Sequence, residues 1–94
     1  MSFKYTRTTL EKLVKLFEEM QYKVRFEKGN FQSGYCLVES KKIVVVNKFF
    51  EVKGRISVLL DILSQISVDY KILSPESLEL LEHFGLLLYS EEAA

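Results

Sequence analysis

The chain has 94 residues, 48% of them hydrophobic and 28% charged, with 13 Lys and Arg balancing 13 Asp and Glu. This is one domain (1–94), too apolar for a disordered chain and without any run near the ~18–20 apolar residues that a membrane-spanning helix needs. A single cysteine, Cys36, excludes an internal disulfide and cannot build a metal cage alone. The neutral total hides a segregation. Residues 1–55 hold 12 cations against 6 acids, a net of +6, whereas residues 56–94 set Lys71 alone against 7 acids, a net of −6. The opening MSFKYTRTTLEK has neither a continuous apolar stretch nor a small-residue cleavage site, so no signal peptide is expected and a cytoplasmic setting is the simplest one.

Residues 1–7 are expected to fray or to form a short edge strand, since Phe3 and Tyr5 alternate with Lys4 and Thr6. Thr8-Thr9-Leu10-Glu11 fits a capping box, and Leu10, Leu13, Val14, Phe17 and Met20 recur at helical spacing, which predicts a helix to about Gln21. Glu11, Lys12, Lys15, Glu18 and Glu19 form its solvated side. Tyr22 to Glu27 alternates apolar with charged residues and predicts a half-buried strand. Lys28-Gly29-Asn30 is a turn, and a second strand runs from about Gln32 to Glu39. Ile43–Asn47 is a third strand, apolar on both faces, and so central or covered on both sides. Phe49 and Phe50 are expected to plug the end of the core.

From Gly54 to Ile66 a second helix is expected, with Ile56, Leu59, Leu60, Leu63 and Ile66 inward. Val68–Ile72 reads as a short strand or extended linker. Ser74-Pro75-Glu76 opens a third helix and Gly85 closes it, leaving residues 90–94 as a frayed tail. The predicted fold is α+β: a helix, a three-stranded antiparallel meander, a helix, a short extended segment and a C-terminal helix.

Chemistry-bearing motifs are sparse. His83 follows Glu82 on a helix near its C-terminus, where a cation suits the helix dipole. Cys36 reads as a small buried thiol in the sheet. Glu76, Glu79 and Glu82 make a solvated helix stripe, and the four glycines match no phosphate loop. No catalytic residue, cofactor or metal site is predicted.

The stretch IVVVNK, followed by a helix containing VLLDILSQI, resembles the core of small bacterial zinc metallopeptidases of the zincin class. In that family an edge strand leads into a helix bearing H-E-x-x-H, whose two histidines bind zinc while the glutamate activates water. Laying this chain on the pattern puts Asp61 and Gln65 at the histidines and Ile62 at the glutamate. Isoleucine cannot act as a base and glutamine is a poor zinc ligand, so the resemblance implies a catalytically empty version of the scaffold.

Two non-enzymatic readings follow. The first is association with protein, including a second copy of the chain. Leu86-Leu87-Leu88-Tyr89, lying beyond the end of a helix, needs a cover, and together with Ile62 and Ile66 it offers apolar interface surface. The alternative is nucleic-acid binding through Lys23 and Arg25 on a strand face and Lys41, Lys42, Lys48 and Arg55 at strand ends, with Phe31, Tyr35, Phe49 and Phe50 nearby for stacking. The sequence pI near 6.6 is not that of a basic binding domain.

Overall fold

A computed structural model of the protein describes residues 5–28 and 35–86. Along the chain run α1 (Arg7–Glu19), β1 (Lys23–Glu27), β2 (Tyr35–Val38), β3 (Ile43–Asn47), α2 (Val52–Leu63) and α3 (Pro75–His83), with short 3₁₀ turns at Glu39–Lys41 and Tyr70–Ile72. No described helix is long and apolar enough to cross a membrane.

The α+β class holds, but the strands do not form an antiparallel meander. The sheet order is β1-β3-β2, with β3 antiparallel to β2 and parallel to β1. The reason lies in side-chain content. β3 is apolar at four of its five positions and gains most from neighbours on both sides, whereas β1 carries a charge at every second residue, which suits an edge. A parallel neighbour needs a long crossover rather than a tight turn. β2, which follows β1 in the chain, is placed on the far side of β3.

Helix α1 begins two residues earlier than its sequence pattern suggests. Thr6, not Thr8, is the N-cap, its side chain accepting from the Thr9 N–H at 3.4 Å. Thr9 and Leu10 are already buried, so the helix must be running by then. Arg7 is therefore helical rather than frayed. At the other end Gln21 adopts a left-handed φ of 69°. Its N–H bonds the Glu18 carbonyl, and the Tyr22 N–H bonds that of Phe17 at 2.9 Å. This is the Schellman arrangement, and its accompanying apolar contact is the Phe17–Tyr22 ring pair, edge-on at 5.9 Å. Helix α3 ends the same way. Gly85 has φ 73°, its N–H reaches Glu82, and the Leu86 N–H reaches Leu81 at 2.9 Å. Its start is as the sequence reads it: the Ser74 hydroxyl caps the Ser77 N–H and Pro75 follows.

Helix α2 spans Val52–Leu63 rather than Gly54–Ile66. Gly54 sits inside the first turn, where a Cβ would come within 3.3 Å of Phe50 Cβ, so the glycine permits close approach rather than starting the helix. Val68–Ile72 is not a strand. Asp69 accepts from the Lys71 N–H at 3.1 Å and turns the chain into a 3₁₀ loop.

All three helices lie to one side of the sheet. α1 packs on β1, α2 and α3, and α2 packs on β3. Phe17, Leu13, Leu16, Ile56, Leu59, Ile62, Leu80, Leu81, Val44 and Val46 are the largest wholly buried side chains of one continuous core. Ile62 and Ile66, expected at an interface, both belong to that core: Ile62 is wholly buried, while Ile66 keeps a small exposed part. Phe49 is 67% exposed and does not plug the core; Phe50 does, packing on Gly54.

A carboxylate ties α1 to α3. Glu19 Oε1 accepts from the Ser74 N–H at 3.0 Å and from the Ser77 hydroxyl at 2.8 Å. Its side chain thus sits at the positive end of α3 instead of on a solvated face.

Candidate association surface

The ladder pairs Lys23 with Ile43, Arg25 with Val45 and Glu27 with Asn47 across one boundary, and Val38 with Ile43 and Cys36 with Val45 across the other. Paired residues share a face, and successive residues alternate faces. One face therefore carries Val24, Phe26, Leu37, Val44 and Val46, all of which pack into the core. The opposite face carries Ile43, Val45 and Val38 side by side, bordered by Lys23, Arg25, Glu27, Asn47 and Cys36. Those three aliphatic side chains are half-buried and lie outside the core cluster. No described element covers them. Cys36 is exposed on this face rather than buried in the sheet.

The six basic residues singled out in the sequence do not form one cluster. The Lys23 N–H bonds the Lys42 carbonyl at 2.8 Å, so Lys23, Lys41 and Lys42 stand at one end of the sheet. Arg25 lies mid-face, 2.8 Å from the Glu27 carboxylate, in an exposed pair of small energetic weight. Lys48 follows β3 at the opposite end. Lys42 is partly committed, its Nζ 5.6 Å above the Tyr22 ring and 3.5 Å from the Met20 carbonyl. Arg55 is wholly committed. Its Nε donates to the Phe50 carbonyl at 2.9 Å, its Nη2 to the Lys48 carbonyl at 2.6 Å, and its guanidinium lies 4.7 Å from the Phe26 ring centre. It braces the β3–α2 connection. Phe31 lies outside the described residues.

That brace is what the sequence reading missed. Arg55 holds a turn in which Asn47 Oδ1 also accepts from the Phe49 N–H at 3.0 Å, presenting Phe49 to solvent beside Lys48. An arginine near a helix start looks solvated by pattern alone, and nothing local marks its carbonyl partners.

Of the expected apolar interface, Leu86 is half-buried and its carbonyl accepts from the Tyr70 hydroxyl at 3.4 Å; Leu87, Leu88 and Tyr89 lie outside the described residues. Leu86 lines a groove of about 170 Å³ with Leu63, Ile66, Val68 and Tyr70. A shallower depression of about 450 Å³ runs along β1, between Glu18, Tyr22, Lys23, Val24 and Arg25.

Asp61 and Gln65 are exposed and joined by a hydrogen bond from Gln65 Nε2 to Asp61 Oδ2 at 3.1 Å, while Ile62 points into the core. Among the described residues no three His, Cys, Asp or Glu side chains converge as metal ligands. His83 is exposed, its ring edge-on to Phe84. The titration of Glu19 is shifted. Burial alone would raise its carboxyl, but the Ser74 N–H, the Ser77 and Ser74 hydroxyls and the Lys15 charge together hold it below its ordinary value. With a helix terminus as its partner, this is a structural carboxylate.

Comparison with models of known protein families, with curated proteins and with solved structures finds no match to this chain.

Proposed function

We propose that this chain is a cytoplasmic, non-enzymatic domain that works by association with protein, and that the open face of its sheet is the docking surface. A single observation carries this. β3 is apolar at Ile43 and Val45 as well as at Val44 and Val46, yet the helices cover only the Val44 and Val46 side. A strand solvated on one face would alternate polar with apolar residues, and this one does not. Lys23, Arg25 and Glu27 border the aliphatic triad, with Arg25 and Glu27 paired, so the complementary partner brings apolar side chains and an acid to face Lys23. In this reading the zincin-like frame is a scaffold without its metal chemistry, with Asp61 and Gln65 left on the solvent side of α2.

A photo-crosslinking residue at position 45, compared with one at the exposed Glu79 of α3, tests the docking surface in cells. A polypeptide adduct should form from position 45 alone and disappear in a Lys23→Glu background. Cross-links only within the chain, or equal capture from both positions, would sink the reading.

A second reading rests on Phe49, which the Arg55-braced turn holds 67% exposed beside Lys48. An exposed aromatic ring beside a cation stacks single-stranded bases, each worth about 1–3 kcal/mol. Labelled oligonucleotide anisotropy should then rise at low salt and fall as salt is added, and Phe49→Ala should weaken binding about tenfold or more. A flat trace at low salt removes this reading.

A further inference from the structure

β1 pairs with β3 on one side only; among the described residues no strand meets its outer edge. Which backbone groups face that edge follows from two bonds. The Lys23 N–H reaches the Lys42 carbonyl, and the Glu27 carbonyl accepts from the Lys48 N–H at 3.0 Å, so residues 23 and 27 turn their peptide groups toward β3. Alternation along the strand then directs the N–H and C=O of Val24 and Phe26 outward. The depression between Glu18, Tyr22, Lys23, Val24 and Arg25 lies along the first part of this strand.

An open edge is normally protected by charge. Here the charges have both signs, and their order is self-complementary. Turn a second Lys-Val-Arg-Phe-Glu strand antiparallel to the first and centre the pair on Phe26. Phe26 then faces Phe26 of the second copy, with both outward peptide groups exchanged between them. Arg25 faces Glu27 of the second copy, and Glu27 faces its Arg25. The two-fold axis repeats each charge pair. Sliding the centre to Arg25 would set the two guanidiniums against each other, which like charges opposite one another disfavour. β2 has no charged residue in Tyr35–Val38 and offers no comparable selection.

We propose that the outer edge of β1 is the pairing edge for a second copy of this chain, joined antiparallel about Phe26 so that two sheets become one. This rests on the association reading and deepens it by naming a partner and a register. It leaves the Ile43–Val45–Val38 face free, so the position-45 cross-link and the oligomeric state test the two claims separately.

Sedimentation equilibrium and amide hydrogen exchange on the full chain provide the test. The wild-type chain should dimerise reversibly. Arg25→Glu and Glu27→Arg should each weaken the dimer about tenfold, because each sets like charges together at two symmetric places. The double swap should restore it to within a few-fold. Circular dichroism of each variant checks that the fold survives, and the double swap reads the charge order even if one single variant is unstable. In the dimer the Val24 and Phe26 amides should exchange more slowly than at dilutions where the monomer prevails. A chain that stays monomeric at high concentration overturns the proposal. So does a dimer indifferent to the swaps, or one whose Val24 and Phe26 amides exchange alike at both concentrations.

Discussion

Replacing Phe17 with alanine should remove about 3–5 kcal/mol of folding stability, the usual cost of emptying a buried aromatic site. Phe17 is wholly buried, faces the Tyr22 ring edge-on, and its carbonyl accepts the Tyr22 N–H that closes α1. The substitution therefore opens a cavity and strips the apolar contact from a helix terminus already held by a non-glycine residue at positive φ. A domain of this size is stable by about 5–15 kcal/mol, so the loss takes a large share of the total. Urea titration followed by circular dichroism should show a midpoint moved far down with the slope unchanged. A midpoint within experimental scatter of the wild type would mean that Phe17 is not in the core.

The second large effect belongs to Glu19. Glu19→Ala should cost about 1–2 kcal/mol, because it removes charge-assisted bonds from the Ser74 N–H and from the buried Ser77 hydroxyl, leaving that hydroxyl only its contact with the Ser74 hydroxyl. The loss should depend on pH. The folded carboxyl lies below its ordinary value, so the folded state binds that proton less readily than the unfolded chain. Its stabilising contribution is thus fully present above the unfolded value and disappears as pH falls through the lower, folded one. Wild-type and Glu19→Gln chains should differ most near neutral pH and converge in acid. A gap between them that stays constant from neutral pH to below the folded value would show that the charge does not hold the α1–α3 junction.

Helices were legible in the sequence where the signals are local. α3 declared itself through Ser74, Pro75 and Gly85, each acting within one turn of its own position. α1 showed its core stripe, although its true cap, Thr6, was concealed by the richer threonine run just after it. The sheet was legible in its faces and not in its order. Period-two alternation says which way a side chain points and nothing about which strand lies alongside. Lys28-Gly29-Asn30 therefore looked like a hairpin turn although β1 and β2 are not neighbours. The association surface was half legible. The doubly apolar character of β3 was plain, but the missing cover on one side appears only once α1, α2 and α3 are placed. Glu19 and Arg55 were illegible for a related reason. Glu19 meets partners 55 and 58 residues away. Arg55 meets backbone carbonyls, which carry no mark in a sequence.

Placing β3 at the centre sets a timetable for the chain as it is made. β1 and β2 leave the ribosome first, but neither has the other for a neighbour. Both wait for residues 43–47, and the apolar side of α1 waits longer still for Ile56 and Leu59. A nascent chain ending before β3 has no sheet to form and no core to close, so no N-terminal fragment reaching only residue 42 can stand as a folded unit. The sheet can close only once the last of its three strands is delivered, and the core only once α2 follows.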